Sequence, residues 1–318
     1  MTGLFDLHCD TAFKIYKQKE NLFSNTHSVS IDKYSVFDKK AQVFAIWSDN
    51  EKTDDETYLD FLHIANEFKE QLLQNSETSM LVTCAEHLKS SQEQRKLGAI
   101  LAVEDSKLIG SDLSRLEKLY DAGVRVITLG WKGKNSVCAS YDTDEGLTPF
   151  GFEVLKECER LGLIVDVSHL SEKGFWDVAG NATKPFIATH SNASILCAHK
   201  RNLTDIQFRT IVSCSGICGI SLVGKHLSKT LPGEKSDDYV AVLDAVCSHI
   251  EHFAEISEKS VALGLDFDGT DALAGLESVD KIPTLYEALT NRGFDCDKSD
   301  DVFYNNAYSF FEKNLPNQ

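Results

Sequence analysis

Basic residues are scarce in this chain: Lys and Arg number 32 against 49 Asp and Glu, a net charge of −17. That deficit repels phosphate backbones and anionic lipid, which argues against nucleic-acid and membrane-surface partners. The surplus acid reads as a solvated face and identifies no cationic ligand. Also missing is any CxxC pair among the nine cysteines. Cys9, Cys84, Cys158, Cys197 and Cys247 sit in or beside apolar segments, which suits reduced, partly buried thiols in a cytosolic protein. The CxxxC spacing of Cys214 and Cys218, read as one strand, places both on one face as core residues. The sequence has no basic n-region with a long apolar run, no transmembrane run and no lipidation signal, so a cytoplasmic location is expected. No GxGxxG follows the first apolar run, which removes the usual mark of a dinucleotide fold. Internal repeats and low-complexity tracts are absent as well.

What the chain does have is 42% hydrophobic residues, many of them in short apolar runs. Eight runs predict strands: 4–7, 43–47, 99–103, 124–129, 163–167, 186–189, 217–223 and 261–265. Most are continuously apolar and rich in Val and Ile, as expected of strands covered on both faces. Apolar residues at three- and four-residue spacing predict helices over 60–73, 113–122, 152–161 and 239–256. This alternation indicates an α/β protein, a (β/α)8 TIM-type barrel, with residues 281–315 as a C-terminal helical extension. Segments 21–40 and 225–236, the latter with Pro232-Gly233, read as loops inserted in the barrel, so 1–318 is expected to be a single domain.

Acids and imidazoles follow several of these runs. In Asp6-Leu7-His8-Cys9-Asp10, alternate residues of an extended segment share a face, so His8 and Asp10 can both turn inward at the end of the first strand. Imidazole nitrogen and carboxylate oxygen suit Zn²⁺ and similar borderline ions. A polar strand end with hydrogen-bonded side chains is the other reading of so short a motif. Glu104 follows Ile100-Leu101-Ala102-Val103, and a carboxylate directly after a buried run needs a cation or hydrogen bonds. Otherwise it is a loop acid or helix cap. His169 and His190 end successive runs, and histidines at the C-terminal ends of successive barrel strands converge on one mouth. Asp266 ends the last run and is placed to take a proton from metal-bound water. Asp268-Gly269 reads as a turn pair.

His190-Ser191-Asn192-Ala193-Ser194, continuing to Lys200-Arg201-Asn202-Leu203-Thr204-Asp205, gives the most specific signal. With the DxHxD stretch, Ser168-His169 and the segment ending in Asp266-Phe267-Asp268-Gly269, it resembles the zinc dipeptidases of the renal (membrane) dipeptidase type, within the amidohydrolase barrels, nearly end to end. The resemblance implies a two-zinc site in which Glu104 bridges both ions, His8 and Asp10 complete one, and His169 and His190 complete the other. It implies that Arg201 binds the substrate's free carboxylate and that Asp266 handles the proton. Expected substrates are small dipeptides, including those with a C-terminal D-residue; the family it resembles also opens certain β-lactam rings, and a homodimer is expected by the same analogy. The alternatives are a lactone or N-acyl-amino-acid hydrolase using the same metals, and a noncatalytic binding protein with a decayed site. A guanidinium fork fits a carboxylate better than a neutral lactone, and the full ligand set speaks against decay.

The chain departs from this family in two places. Thr128-Leu129-Gly130-Trp131 puts Trp131 where the animal enzymes have a histidine that helps hold the tetrahedral intermediate. An indole donates one hydrogen bond but carries no positive charge. Trp131 is expected to line the substrate pocket, as in bacterial-type members of the family. Glu104-Asp105-Ser106 replaces small residues after the bridging acid and adds negative charge beside the ions.

Overall fold

The computed structural model describes residues 3–49, 51–229 and 238–317. Among these residues eight strands form: β1 (Gly3–Cys9), β2 (Lys39–Trp47), β3 (Ser79–Leu81), β4 (Leu97–Glu104), β5 (Val124–Thr128), β6 (Ile164–Asp166), β7 (Cys218–Ile220) and β8 (Val261–Leu263). All named pairings are parallel, in the order β6-β5-β4-β2-β1-β8-β7, with β3 attached beside the start of β4. Residues 186–189 close the gap between β6 and β7 through the single bridges Asp166↔Ile187 and Ala188↔Cys218. The barrel thus has its eight staves, and the expected strand 186–189 contributes two bridges in place of a ladder. The chain is tight here, because a Cβ at Gly264 would lie 1.7 Å from the Thr189 carbonyl oxygen.

β3 was not expected from the sequence, since three residues between polar turns carry no period. The four expected helices appear as Asp54–Gln74, Ser114–Asp121, Pro149–Leu161 and Tyr239–Ile256. The first extends beyond its apolar pattern because Thr53 and Glu56 form a capping box ahead of it. Cys214 and Cys218 do not share a strand: Cys214 follows the helix Asp205–Ser213 and Cys218 opens β7. No disulfide joins cysteines among the described residues. Of the two expected loops, 21–40 holds a short 3₁₀ turn, Lys33–Val36, and the start of β2. The Pro232-Gly233 part of the other lies outside the described residues.

The core has two layers. One lies between staves and helices; the other fills the barrel interior with alternate residues such as Phe5, Leu7, Val43, Ile100 and Ala102. The C-terminal helix Asn306–Asn314 plugs that interior, setting the Phe311 ring 5.0 Å from Phe5. Asn306 pins it by donating to the carbonyls of Glu258 and Val261 at 2.7 and 2.8 Å. Among the described residues no helix is long and apolar enough to cross a membrane.

Candidate metal centre

The alternation that buries Ile100 and Ala102 carries Glu104 to the same interior at the end of β4. β1 reaches that interior differently. Phe5 and Leu7 face inward, so unbroken alternation would turn His8 and Asp10 outward. The register against β2 shifts between Asp6 and Cys9, and this bulge re-aims both side chains. Asp6 holds the bulge, its Oδ1 accepting from the N–H groups of His8 (3.3 Å) and Leu265 (2.8 Å). Burial nonetheless pushes the Asp6 carboxyl up to about 7.

Five stave ends therefore meet. His8 Nε2 lies 3.8 Å from Asp10 Oδ2, 3.8 Å from Glu104 Oε2 and 3.9 Å from Asp266 Oδ1. Glu104 Oε1 lies 3.1 Å from His169 Nε2 and 3.8 Å from His190 Nε2. The structure thus brings together all six acids and imidazoles singled out in the sequence. Asp105 does not join them: it accepts from Asn135 Nδ2 at 2.6 Å and Lys107 N at 3.0 Å, and burial pushes it up to about 6. His169 and Asp266 have φ of 70° and 59°, a region costly for side chains with a Cβ and common where function fixes the backbone. Gly269 has no such freedom to change, because a Cβ there would lie 2.1 Å from Asp10 Oδ2 and 2.3 Å from Asp266 Oδ1.

The donor set fits metal ions on internal grounds. His169 Nδ1 donates to the Trp131 carbonyl at 3.0 Å, so its Nε2 carries a lone pair. The Thr189 hydroxyl donates to Asp166 Oδ2 at 2.6 Å and must therefore accept from His190 Nδ1 at 2.8 Å, which leaves His190 Nε2 with a lone pair too. These two nitrogens face each other at 2.8 Å, an arrangement that a shared cation resolves. His8 Nε2 and Asp10 Oδ1 are buried with no hydrogen-bond partner among the described residues. Burial drives Glu104 well up, reinforced by Asp10 and Asp266, and lifts Asp266 to about 7. It drives His169 and His190 well down, while at His8 the surrounding acids, Glu104 foremost, overcome burial and raise it to about 10. So crowded a set of acids ionises fully only against added positive charge.

Arg201, 5% exposed, borders the same cavity of about 350 Å³ together with Trp131, Lys225, His226 and Asp266. Its Nη2 donates to the His190 carbonyl at 3.4 Å, and its Nε has no hydrogen-bond partner among the described residues. Sequence reasoning missed three groups. Asp166 Oδ1 accepts from the N–H groups of Ser168 and Thr189, both at 2.9 Å, and its Oδ2 from the Thr128 hydroxyl at 2.6 Å, fixing the segments that carry both histidines. An ionisable residue inside Leu163-Ile164-Val165-Asp166 was the available signal. His226, in the short helix Gly224–Leu227, and Tyr141, in the segment after β5, also border the cavity and had no signal in spacing.

Comparison with known proteins agrees. The family model described as membrane dipeptidase (peptidase family M19) matches residues 1–314. An uncharacterised protein in the pqqA 5′ region of Klebsiella pneumoniae is 35% identical over 224 residues, 68% of this chain and 81% of that protein. A metallopeptidase from Rhodobacter sphaeroides, solved with a phosphinate mimic of the dipeptide L-Ala-D-Ala, superposes with a TM-score of 0.89 at 23% identity, over 98% of this chain and 99% of that one. A solved structure described as dipeptidase AC, a metallopeptidase of family M19, gives 0.89 at 25% identity over 99% of both chains. The chain belongs to the membrane dipeptidase family, peptidase family M19, and is a metallo-dipeptidase.

Proposed function

We propose that the protein hydrolyses dipeptides at a centre of two divalent ions, zinc by its mixed nitrogen and oxygen donors, with Glu104 shared, His8 and Asp10 on one ion and His169 and His190 on the other. The observation that carries this reading is the meeting of two imidazole lone pairs at 2.8 Å beside one buried carboxylate. Bound there, the ions would lower the pKa of water and polarise the peptide carbonyl. Asp266, whose Oδ1 lies 3.9 Å from His8 Nε2 at the same cavity, is placed to take a proton from the attacking water and deliver it to the leaving amine. Arg201 offers its buried guanidinium to the substrate's terminal carboxylate, which orients the peptide across Glu104. Trp131 walls the cavity and supplies contact area in place of a titrating group. A D-configured C-terminal residue belongs to the proposed range, since the Rhodobacter relative takes a mimic of L-Ala-D-Ala. Staves drawn from Gly3 to Leu263 and a plug from the C-terminal helix support reading the chain as one domain.

The test pairs elemental analysis with a panel of L,L- and L,D-dipeptides. About two ions per chain, hydrolysis abolished by chelation and restored by Zn²⁺ are expected. A metal-loaded protein that cleaves no dipeptide, or a protein that binds no ion after reconstitution, would overturn the reading.

A further inference from the structure

Three aromatic side chains meet beside the candidate centre. Phe13 lies in the helix after β1, Trp47 ends β2 and Trp131 follows β5. The Phe13 and Trp47 ring centroids are 5.5 Å apart at 88°, and those of Trp47 and Trp131 are 5.0 Å apart at 67°. These edge-to-face contacts hold the rings as a wall. The wall bounds a recess of about 190 Å³ that Asp10 and Glu104 also border and Arg201 does not. All three rings remain partly exposed. The Trp47 indole nitrogen is buried without a hydrogen-bond partner among the described residues, although a buried indole normally finds an acceptor.

We propose that this recess receives the side chain of the substrate's N-terminal residue and selects a large uncharged aromatic group over a small or a basic one. The inference rests on the dipeptidase reading above. With the C-terminal carboxylate at Arg201 and the peptide bond over Glu104, the N-terminal residue falls on the Asp10 side, where the recess opens. Its size suits one side chain. Aromatic walls also attract cations, but Lys14 borders this recess and opposes a second positive charge. Asp10 and Glu104 are assigned to the ions, and the charge of Asp268, which accepts from the Thr11 hydroxyl and from Ser28 N, is balanced by Lys14, so the recess holds no spare negative charge for a basic side chain.

The experiment measures kcat/KM of the metal-loaded enzyme on Gly-Ala, Phe-Ala and Lys-Ala, and on Ala-Gly and Ala-Phe. Burial of an aromatic side chain should favour Phe-Ala over Gly-Ala by about tenfold or more, with Lys-Ala well below Phe-Ala. Trp47→Ala and Phe13→Ala should each cut the Phe-Ala to Gly-Ala ratio by about fivefold or more while moving the Ala-Phe to Ala-Gly ratio by less than about twofold. Melting curves confirm that each variant is folded, and the wild-type ratios stand if one is not. Wild-type enzyme that cleaves Gly-Ala or Lys-Ala as well as Phe-Ala would overturn the inference, as would variants that shift both ratios equally. Hydrolysis without aromatic preference removes this inference alone; no hydrolysis of any member removes the dipeptidase reading with it.

Discussion

Along β4, Ile100 and Ala102 pack into the inner apolar cluster, whereas Glu104, two residues further on the same face, meets three imidazoles. The same change occurs around the barrel. At the end where the staves begin, Phe5 lies against Phe311 of the plugging helix, and side chains fill the interior. At the other end His8 Nε2 and Asp10 Oδ1 are buried without hydrogen-bond partners among the described residues, and Asp105, His169, Asp266 and Asp268 take positive φ. Without bound ions each unpartnered buried atom costs about 1–3 kcal/mol, and each such backbone position costs about as much. The filled end offsets those costs, so stability and chemistry are separable along a single strand.

Removing the shared acid tests that separation most severely. Glu104→Gln should lower kcat/KM by about a thousandfold or more and reduce metal content at both positions. In chelator its melting temperature should equal or exceed that of the wild type, since a neutral amide relieves the crowding of acids. A melting temperature well below wild type under those conditions would show that the rim also holds the fold.

Phe311→Ala is the converse. Truncating a fully buried ring in the plug should cost about 3–5 kcal/mol, read from denaturant unfolding, while kcat/KM per folded molecule stays within about twofold. A kinetic loss that persists in the folded fraction would tie the two ends together.

The same contrast decides what could be read from the sequence. Staves covered on both faces leave continuous apolar runs, and helices leave three- and four-residue spacing, so the barrel was legible. Ser79–Leu81 was not, because a short edge pairing depends on Leu97–Ala99 and not on its own pattern. The acids and imidazoles were legible as ionisable residues that end apolar runs. The bulge in β1 was not: HxD suggested simple alternation, and only the shift against β2 explains how Leu7 and His8 serve one interior. Thr128 and Thr189, which steady Asp166, look like ordinary strand hydroxyls in sequence. Phe13 and Trp47 look like core aromatics until the chain brings them beside Trp131.

Arg201 should show an intermediate effect. Arg201→Lys keeps the charge and loses the planar fork, so kcat/KM on free dipeptides should fall about ten- to a hundredfold, and far less on C-terminal amides. Equal losses on both would mean that the guanidinium steadies the His190 carbonyl and does not read the substrate.

The smallest effect is expected at His249, which fastens the rim to the surrounding helices. It is 1% exposed; its Nδ1 accepts from Ala193 N at 3.0 Å and its Nε2 donates to the Leu227 carbonyl at 2.9 Å. Those partners require a neutral ring with the proton on Nε2. Burial holds its pKa below the ordinary histidine value. The unfolded chain therefore binds the proton more readily than the folded one, and stability rises with pH across that window. The contribution is complete above the unfolded value of about 6.5 and is lost as pH falls below it, with a slope of at most about 1.4 kcal/mol per pH unit. Protonation would also remove the acceptor from Ala193 N, in the segment that follows His190. His249→Gln keeps polar atoms without the titration, so it should be less stable than wild type at pH 8 and lose less between pH 7 and pH 5. Denaturant midpoints for both proteins across that range decide the matter; parallel pH profiles would show that His249 does not titrate on unfolding and that other groups set the acid sensitivity of the rim.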